Sequence, residues 1–187
     1  SMGKVVRERF ATTPPMLGTP GAVQIGGQWV LVETAQHEGA VGLVTAWLAQ
    51  VAPGVPVGAG IATIPSPANG GARWFTGKPQ PLYVAPGAAP IIRRVTGRAA
   101  AGTVVTTPRW IRVGSDSLWL EPFTAPDLVG AMAVYSPTLK WLYLPAAGAP
   151  THQVEQAALI ARLAARGMAV EWIGSARGLV TAVSPAK

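Results

Sequence analysis

The chain has no cysteine and only two histidines, His37 and His152, among its 187 residues. The lack of cysteine excludes disulfides, thiolate metal sites and cysteine nucleophiles. Two histidines are also too few for a site that binds metal through several imidazole rings. Any acid–base or metal chemistry therefore has to come from carboxylates, hydroxyls and these two rings.

Charged residues are scarce, at 12% of the chain, whereas hydrophobic residues reach 49%. This composition is far from that of a disordered chain and, at this length, indicates one folded core. Glycine, proline and arginine interrupt every apolar run before it reaches about 18 residues, so we expect no membrane span. The composition is that of a soluble protein, and no motif distinguishes the cytoplasm from the periplasm.

The formal net charge is +7, and the densest basic group is Arg93, Arg94 and Arg98. Clustered arginines attract phosphates and can bind anions or nucleic acid. These three lack interleaved aromatic side chains of the kind on which unpaired bases stack. We interpret them as a solvated basic face and keep anion or nucleic-acid binding as an alternative.

Residues 1–20 are expected to lie outside the folded domain. Ser1-Met2-Gly3 looks like a cloning remnant, and the following residues contain proline-rich turns without sustained periodicity. We predict an extended arm that packs poorly. Residues 21–187 are predicted to form a single domain, and the sequence leaves open whether this domain is truncated at its N-terminus.

The first half of the chain predicts a hairpin followed by a helix. β-favouring residues on either side of Gly26-Gly27 predict two short strands within 22–34. Apolar residues at spacings of three and four predict an amphipathic helix over 39–51. Two short apolar segments, 55–64 and 81–85, then resemble the strands of a βαβ arrangement.

The second half is richer in strands and contains one more helix. Turn residues at 114–117 predict a hairpin, and 131–135 with 140–144 predict a further strand pair. Apolar residues at helical spacing predict a helix over about 151–166. The last predicted strand covers 169–173.

Three stretches resemble motifs of the metallo-β-lactamase-fold hydrolases. Glu33-Thr34-Ala35 stands where the family's early strand ends in Asp-Thr-Gly. The stretch ATIPSPANGG at 62–71 stands in place of Thr-His-X-His-X-Asp-His-X-Gly-Gly, and Tyr135-Ser136-Pro137 matches Tyr-X-Pro. The resemblance covers roughly residues 21–180. It implies an α/β (α+β) fold, the four-layer αββα sandwich.

The resemblance also implies that the zinc-ligand positions have been emptied. The residues at these positions are Thr63, Pro65, Pro67, Ala68, Asp127, Ala146 and Ser175. Only the aspartate is a usual zinc ligand, whereas a catalytic zinc needs three ligands from His, Asp, Glu or Cys and an open position for water. Without the ion nothing lowers the pKa of water from about 15.7. We therefore expect no metal, no cofactor and no zinc-dependent hydrolysis.

Three functions follow from these residues. The first is a pseudoenzyme whose degenerate cleft binds a small apolar ligand or a protein partner. The second is a metal-independent hydrolase in which His37 acts with Glu33 or Asp127. The third is anion or nucleic-acid binding through the three arginines. We favour the first and do not expect nucleic acid as the partner, and the sequence indicates no oligomeric state.

Overall fold

The computed structural model describes residues 9–12, 21–97, 102–146, 152–176 and 178–183. Within these ranges the chain forms two six-stranded sheets, three α-helices and one 3₁₀-helix. The first sheet contains, in spatial order, β1 (Phe10–Thr12), β2 (Gly21–Ile25), β3 (Gln28–Val32), β4 (Val57–Ala62), β5 (Leu82–Val84) and β6 (Thr103–Val104). The second contains β7 (Arg109–Val113), β8 (Asp116–Ala125), β9 (Leu128–Ser136), β10 (Trp141–Tyr143), β11 (Trp172–Ser175) and β12 (Gly178–Ala182). The helices are α1 (Glu38–Val51), the 3₁₀-helix (Pro67–Phe75), α2 (Ala89–Thr96) and α3 (Gln153–Ala165).

Strand direction in each sheet follows from the connections. In the first sheet β1, β2 and β3 are antiparallel, whereas β3 to β6 run parallel. In the second sheet only β10 and β11 are parallel. Parallel neighbours need a crossover, which is usually a helix. Here α1, the 3₁₀-helix and α2 connect the parallel strands of the first sheet, and α3 connects β10 to β11.

The core has two parts, separated by the second sheet. Along β9, Met132 and Val134 belong to the large cluster shared with the first sheet and α1. The alternate residues Ala133 and Tyr135 belong to a smaller cluster on the other face, together with α3. Since side chains alternate between the faces of a strand, the second sheet faces the first sheet on one side and α3 on the other.

The main expectations about the fold are confirmed. The mixed α/β architecture with two sheets and flanking helices is that of the predicted sandwich. Gly26-Gly27 connects β2 to β3, and the predicted helix over 39–51 begins one residue earlier, at Glu38. The last helix lies within the predicted range. In the described ranges, no helix has the length and apolar character to cross a membrane.

Four segments differ from expectation. The sequence predicts no helix directly after Ile64 or over α2, yet the 3₁₀-helix and α2 form there. Proline and glycine in the first segment, and proline in the second, favour turns. The last strands are β11 and β12, not one strand over 169–173. Part of the arm is also packed: β1 pairs with β2, Ala11 is buried, and the Phe10 ring lies 5.1 Å from Trp141.

Candidate functional site

Glu33 and Thr63 meet at one edge of the first sheet. Each is the first residue after a strand, β3 and β4 respectively, and these strands are parallel neighbours. The carboxyl ends of parallel strands lie at the same edge, where α/β folds often place their sites. The Glu33 backbone N–H donates to the carbonyl of Ile61 at 2.8 Å. Both Glu33 and Thr63 are buried, with 1% and 0% exposure.

The Glu33 carboxylate is the centre of a buried hydrogen-bond network. Its Oε1 accepts from the backbone N–H of Thr63 at 2.8 Å and from the Thr63 hydroxyl at 2.6 Å. Its Oε2 accepts from Asn69 Nδ2 at 3.0 Å, and the same amide donates to the carbonyl of Ile64 at 3.1 Å. Asn69 Oδ1 accepts from the backbone N–H and the hydroxyl of Thr34. The polar side chains at this edge therefore satisfy one another.

The backbone around this network is tightly constrained. Glu33 and Ala35 have φ values of 69° and 63°, in the left-handed region, which costs a non-glycine residue roughly 1–2 kcal/mol. The Gly71 backbone N–H donates to the Ala35 carbonyl at 2.8 Å. A Cβ on Gly71 would lie 1.8 Å from the Thr34 carbonyl oxygen. The 3₁₀-helix thus lies so close to the turn after β3 that only glycine fits there.

Burial changes the acidity of Glu33. Removal from water raises its pKa from 4.5 to about 7, although the hydrogen bonds from Thr63 and Asn69 act in the opposite direction. Desolvation disfavours the charged form, and here it outweighs the donors. Near neutral pH both forms of the carboxyl group are therefore populated.

Tyr143 joins this network to the second sheet. Its side chain lies at the end of β10, is buried, and hydrogen-bonds to the side chain of Thr63. Burial, and then the charge of Glu33, raise the pKa of Tyr143 well above its ordinary value of 10, so its hydroxyl is protonated at neutral pH. The carbonyl of Thr63 also accepts from the Met132 N–H of β9 at 2.9 Å. The network therefore ties the ends of the two sheets together.

The other predicted cleft positions lie at several places. Pro65 is exposed in the loop that follows Thr63. Pro67 and Ala68 lie in the 3₁₀-helix, and their side chains are outside the described part of the structure. Ser175 is the last residue of β11, and Ala146 lies just after β10: the carbonyl of its neighbour Pro145 accepts from the Ala176 N–H at 3.4 Å. Ala146 lines a cavity with Phe123, Leu144 and His152 rather than with Glu33.

Asp127 does not belong to this network. It is exposed in the turn between β8 and β9, with a φ of 61°. Within the described ranges it forms no hydrogen bond to Glu33 or Thr63. The exposed carboxylate of Asp127 is therefore separate from the buried carboxylate of Glu33.

His37 serves as the N-cap of α1. Its Nδ1 accepts a hydrogen bond from the backbone N–H of Ala40 at 3.1 Å, and the residue is exposed. The hydrogen bonds of Glu33 come from Thr63 and Asn69 instead. The structure thus does not bring His37 and Glu33 into a hydrogen-bonded pair.

The predicted basic group lies at the end of α2. Arg93 and Arg94 are exposed in its last turn, where cations interact favourably with the helix dipole. Arg98 lies outside the described residues.

Comparisons with known proteins place this arrangement in a structural class. No family model matches the sequence, and no curated protein matches it by sequence. Solved metallo-β-lactamases do match the structure. The IND-7 enzyme has 15% identity and a TM-score of 0.65, covering 95% of this chain and 93% of that chain. The Erythrobacter litoralis enzyme has 19% identity and a TM-score of 0.63, covering 87% and 78% respectively. The Pontibacter korlensis enzyme has 16% identity and a TM-score of 0.61, covering 83% and 77%.

This chain has the metallo-β-lactamase fold. It is a divergent example, because no three His, Cys, Asp or Glu side chains in the described ranges come together as a metal-binding group. A catalytic zinc requires three such ligands, and the hydroxyl of Thr63 is already bonded to Glu33. The described residues do not fit a zinc site.

Two members of the network were not predicted as site residues. Asn69 precedes Gly70-Gly71 in a segment without a repeating apolar pattern, and Tyr143 lies in a segment that predicts a strand. The available signal was the amide of Asn69, since a polar side chain next to two glycines that allow close packing is a candidate for bonding the backbone. In this metallo-β-lactamase fold Asn69 connects the turn after β3 to the loop after β4.

Proposed function

We propose that this chain is a non-metal-binding, non-catalytic protein of the metallo-β-lactamase fold that acts as a ligand- or partner-binding module. The observation that carries the proposal is the closed hydrogen-bond network of Glu33, Thr63 and Asn69. These groups occupy the edge of the sheet where a hydrolase of this fold would need free ligands and accessible water.

A reaction centre needs groups that can reach a substrate. A general base has to lie within hydrogen-bond reach of the proton that it removes, yet Glu33 is 1% exposed and both of its oxygens accept bonds from the protein. Nor do the described residues supply a group of ligands for a metal ion that would ionise water. The network accordingly serves to hold the two sheets together.

A binding role uses the same scaffold without chemistry. Pro65 lies two residues after Thr63 and is exposed, so it adds apolar surface at this edge of the sheet. An apolar surface on a rigid edge suits a small apolar ligand or a protein partner. The hydrolase alternative with His37 would require that side chain to leave its capping position on α1.

Metal content and activity test the proposal together. The protein is purified without chelator and analysed for zinc, its thermal melting is measured with and without added zinc, and hydrolysis of a chromogenic β-lactam is followed under both conditions. We expect far less than one zinc per chain, an unchanged Tm and no hydrolysis. The metallo-β-lactamase from Erythrobacter litoralis, treated identically, is the positive control. Stoichiometric zinc, a large zinc-dependent rise in Tm, or β-lactam turnover would contradict the proposal.

A further inference from the structure

A group of aromatic and cationic side chains lies on the second sheet, on the face that carries α3. We call it the Trp110 surface, and it consists of Trp110, Arg112, Trp119, Arg162 and Arg166. In the register of β7 with β8, Trp110 stands opposite Trp119. Since alternate residues of a strand share a face, Arg112 lies on the same face as Trp110. The two remaining arginines belong to α3 and its C-terminal end.

Contacts hold the aromatic part of this surface in place. The rings of Trp110 and Trp119 are 5.1 Å apart in an edge-to-face arrangement. Trp119 Nε1 donates to Glu121 Oε2 at 3.0 Å, and Arg162 Nε donates to Glu121 Oε1 at 3.2 Å. The Arg166 guanidinium lies 4.9 Å from the centre of the Trp119 ring. Binding to such a preformed surface requires little ordering of side chains.

The outer part of the surface remains accessible. Trp119 is only 7% exposed, whereas Trp110 is 46% exposed although it is a large aromatic side chain. Arg112 and Arg166 are exposed and form no ion pair with any residue that the structure describes. The carboxylate of Glu121, which accepts from Trp119, is already paired with Arg162. A half-exposed ring thus lies on the same face as two exposed positive charges, one of which, Arg166, lies over the neighbouring Trp119 ring.

We propose that the Trp110 surface binds single-stranded nucleic acid, with an unpaired base stacked on Trp110 and backbone phosphates bound by Arg112 and Arg166. This differs from the expectation from the sequence, which rested on the arginines at the end of α2 and their lack of interleaved aromatic side chains. Proteins that bind single strands combine aromatic platforms with a positive track for the backbone. Duplex nucleic acid keeps its bases stacked inside and would use the charges alone. The chain's net charge of +7 adds long-range attraction for a polyanion. This inference does not depend on the state of the Glu33 network, so it goes beyond the proposed function.

An exposed tryptophan beside arginines also suits an acidic protein segment, but the observations favour the nucleic acid. An acidic peptide would be held mainly by the guanidinium groups and would need no half-exposed ring. Stacking on an aromatic face is available to every base and is independent of sequence. The two partners therefore differ in how strongly binding depends on Trp110.

Fluorescence anisotropy with the full chain tests the proposal. The probe is a labelled oligothymidylate of about twelve nucleotides, which is within the range of single-strand site sizes. We expect Trp110→Ala to weaken binding about fivefold or more, because stacking of one base is lost. We expect Trp110→Phe to retain most of the affinity, and Arg112→Ala to reduce the dependence of log Kd on log salt concentration.

Matched controls separate this surface from diffuse charge. Arg94→Ala removes an exposed arginine elsewhere. Trp110→Ala should weaken binding by the same factor with or without it. Thermal melting of each variant verifies folding. A duplex of the same length and a labelled polyglutamate peptide should bind more weakly than the single strand. The proposal is overturned if the wild-type chain does not bind the oligothymidylate, if Trp110→Ala binds it equally well, or if the peptide binds more tightly. A change in oligomeric state caused by Trp110→Ala would likewise overturn it and assign the surface to self-association.

Discussion

At the residue scale, the surroundings of Glu33 determine its acidity. It is a carboxyl group removed from water, yet three hydrogen bonds from Thr63 and Asn69 reach its two oxygens. In water such donors would hold the group ionised, whereas here burial prevails and raises the pKa to about 7. The folded chain therefore binds a proton that the unfolded chain releases near pH 4.5, and stability has to change with pH.

The direction of that change follows from proton binding. Between pH 4.5 and about 7 the folded state holds more protons at Glu33 than the unfolded state does, so the free energy of unfolding falls as pH rises. The contribution is fully present below pH 4.5 and is lost as pH rises through about 7. A pKa difference of this size corresponds to a change of about 3 kcal/mol in the free energy of unfolding. Urea unfolding at a series of pH values should show the decline, and Glu33→Gln should remove it.

The readout for Glu33→Gln is the slope with pH, because the variant also changes absolute stability. The side-chain amide of glutamine would bring a donor towards Asn69 Nδ2, which now donates to Glu33. Glu38→Gln is the matched control, since Glu38 is exposed and its ion pair with Arg73 is long, at 3.8 Å. If wild type and Glu33→Gln keep the same slope between pH 5 and 7, the assignment of the titration to Glu33 is wrong.

At the scale of elements, α1 illustrates how a helix starts. His37 has extended backbone geometry, and its Nδ1 accepts a hydrogen bond from the Ala40 backbone N–H, which also donates to the His37 carbonyl at 3.0 Å. Val41, Val44 and Leu48 then give the buried stripe. The ring thus stabilises the start of the helix.

Replacing the cap tests this role. His37→Ala should lower the free energy of unfolding by roughly 1 kcal/mol, the usual effect of losing an N-cap. His37→Ser should recover most of that loss, because a hydroxyl can accept the same bond. Chemical denaturation of the three proteins provides the comparison. Equal stability of His37→Ala and wild type would show that the cap contributes nothing.

The elements that the sequence predicted are those with a strong repeating pattern. Both α1 and α3 have apolar residues at helical spacing over more than three turns, and the β2–β3 hairpin has alternating strands around Gly26-Gly27. The 3₁₀-helix and α2 do not extend such a pattern over several turns, because one is rich in glycine and the other has proline in its first turn and is only eight residues long. Their positions depend on contacts with the rest of the fold, such as the close approach of Gly71 to Thr34.

The candidate site was predictable only in part for the same reason. The expectation that Thr63 and Pro65 stand at former ligand positions rests on local spacing in the sequence. The bonds of Glu33 to Thr63 and Asn69 join residues at least 30 positions apart, and Tyr143 comes from the other sheet. Such contacts depend on how the sheets meet, which no local pattern encodes. The Trp110–Trp119 pair follows from strand register in the same way.

At the scale of the whole molecule, the two sheets are joined at more than one place. The Thr63–Tyr143 contact joins them at the edge of the candidate site. Away from it, the β2–β3 turn meets the β7–β8 turn, where the Ser115 N–H donates to the Gly26 carbonyl at 3.3 Å. These two turns touch backbone to backbone, with no room for a side chain between them.

Two neighbouring glycines allow this junction to be tested. Gly26 and Gly27 both have positive φ values, 55° and 83°, as a type I′ turn requires. Alanine at either position carries the left-handed cost of roughly 1–2 kcal/mol. Only at Gly26 would the new Cβ also meet the other sheet, at 2.1 Å from the Val113 carbonyl oxygen, whereas nothing lies within 4 Å of a Cβ at Gly27. Gly26→Ala should therefore destabilise the fold by about 3 kcal/mol or more, against the smaller loss for Gly27→Ala. Urea unfolding midpoints measure the difference, and equal losses in the two variants would mean that the turn contact does not hold the sheets together.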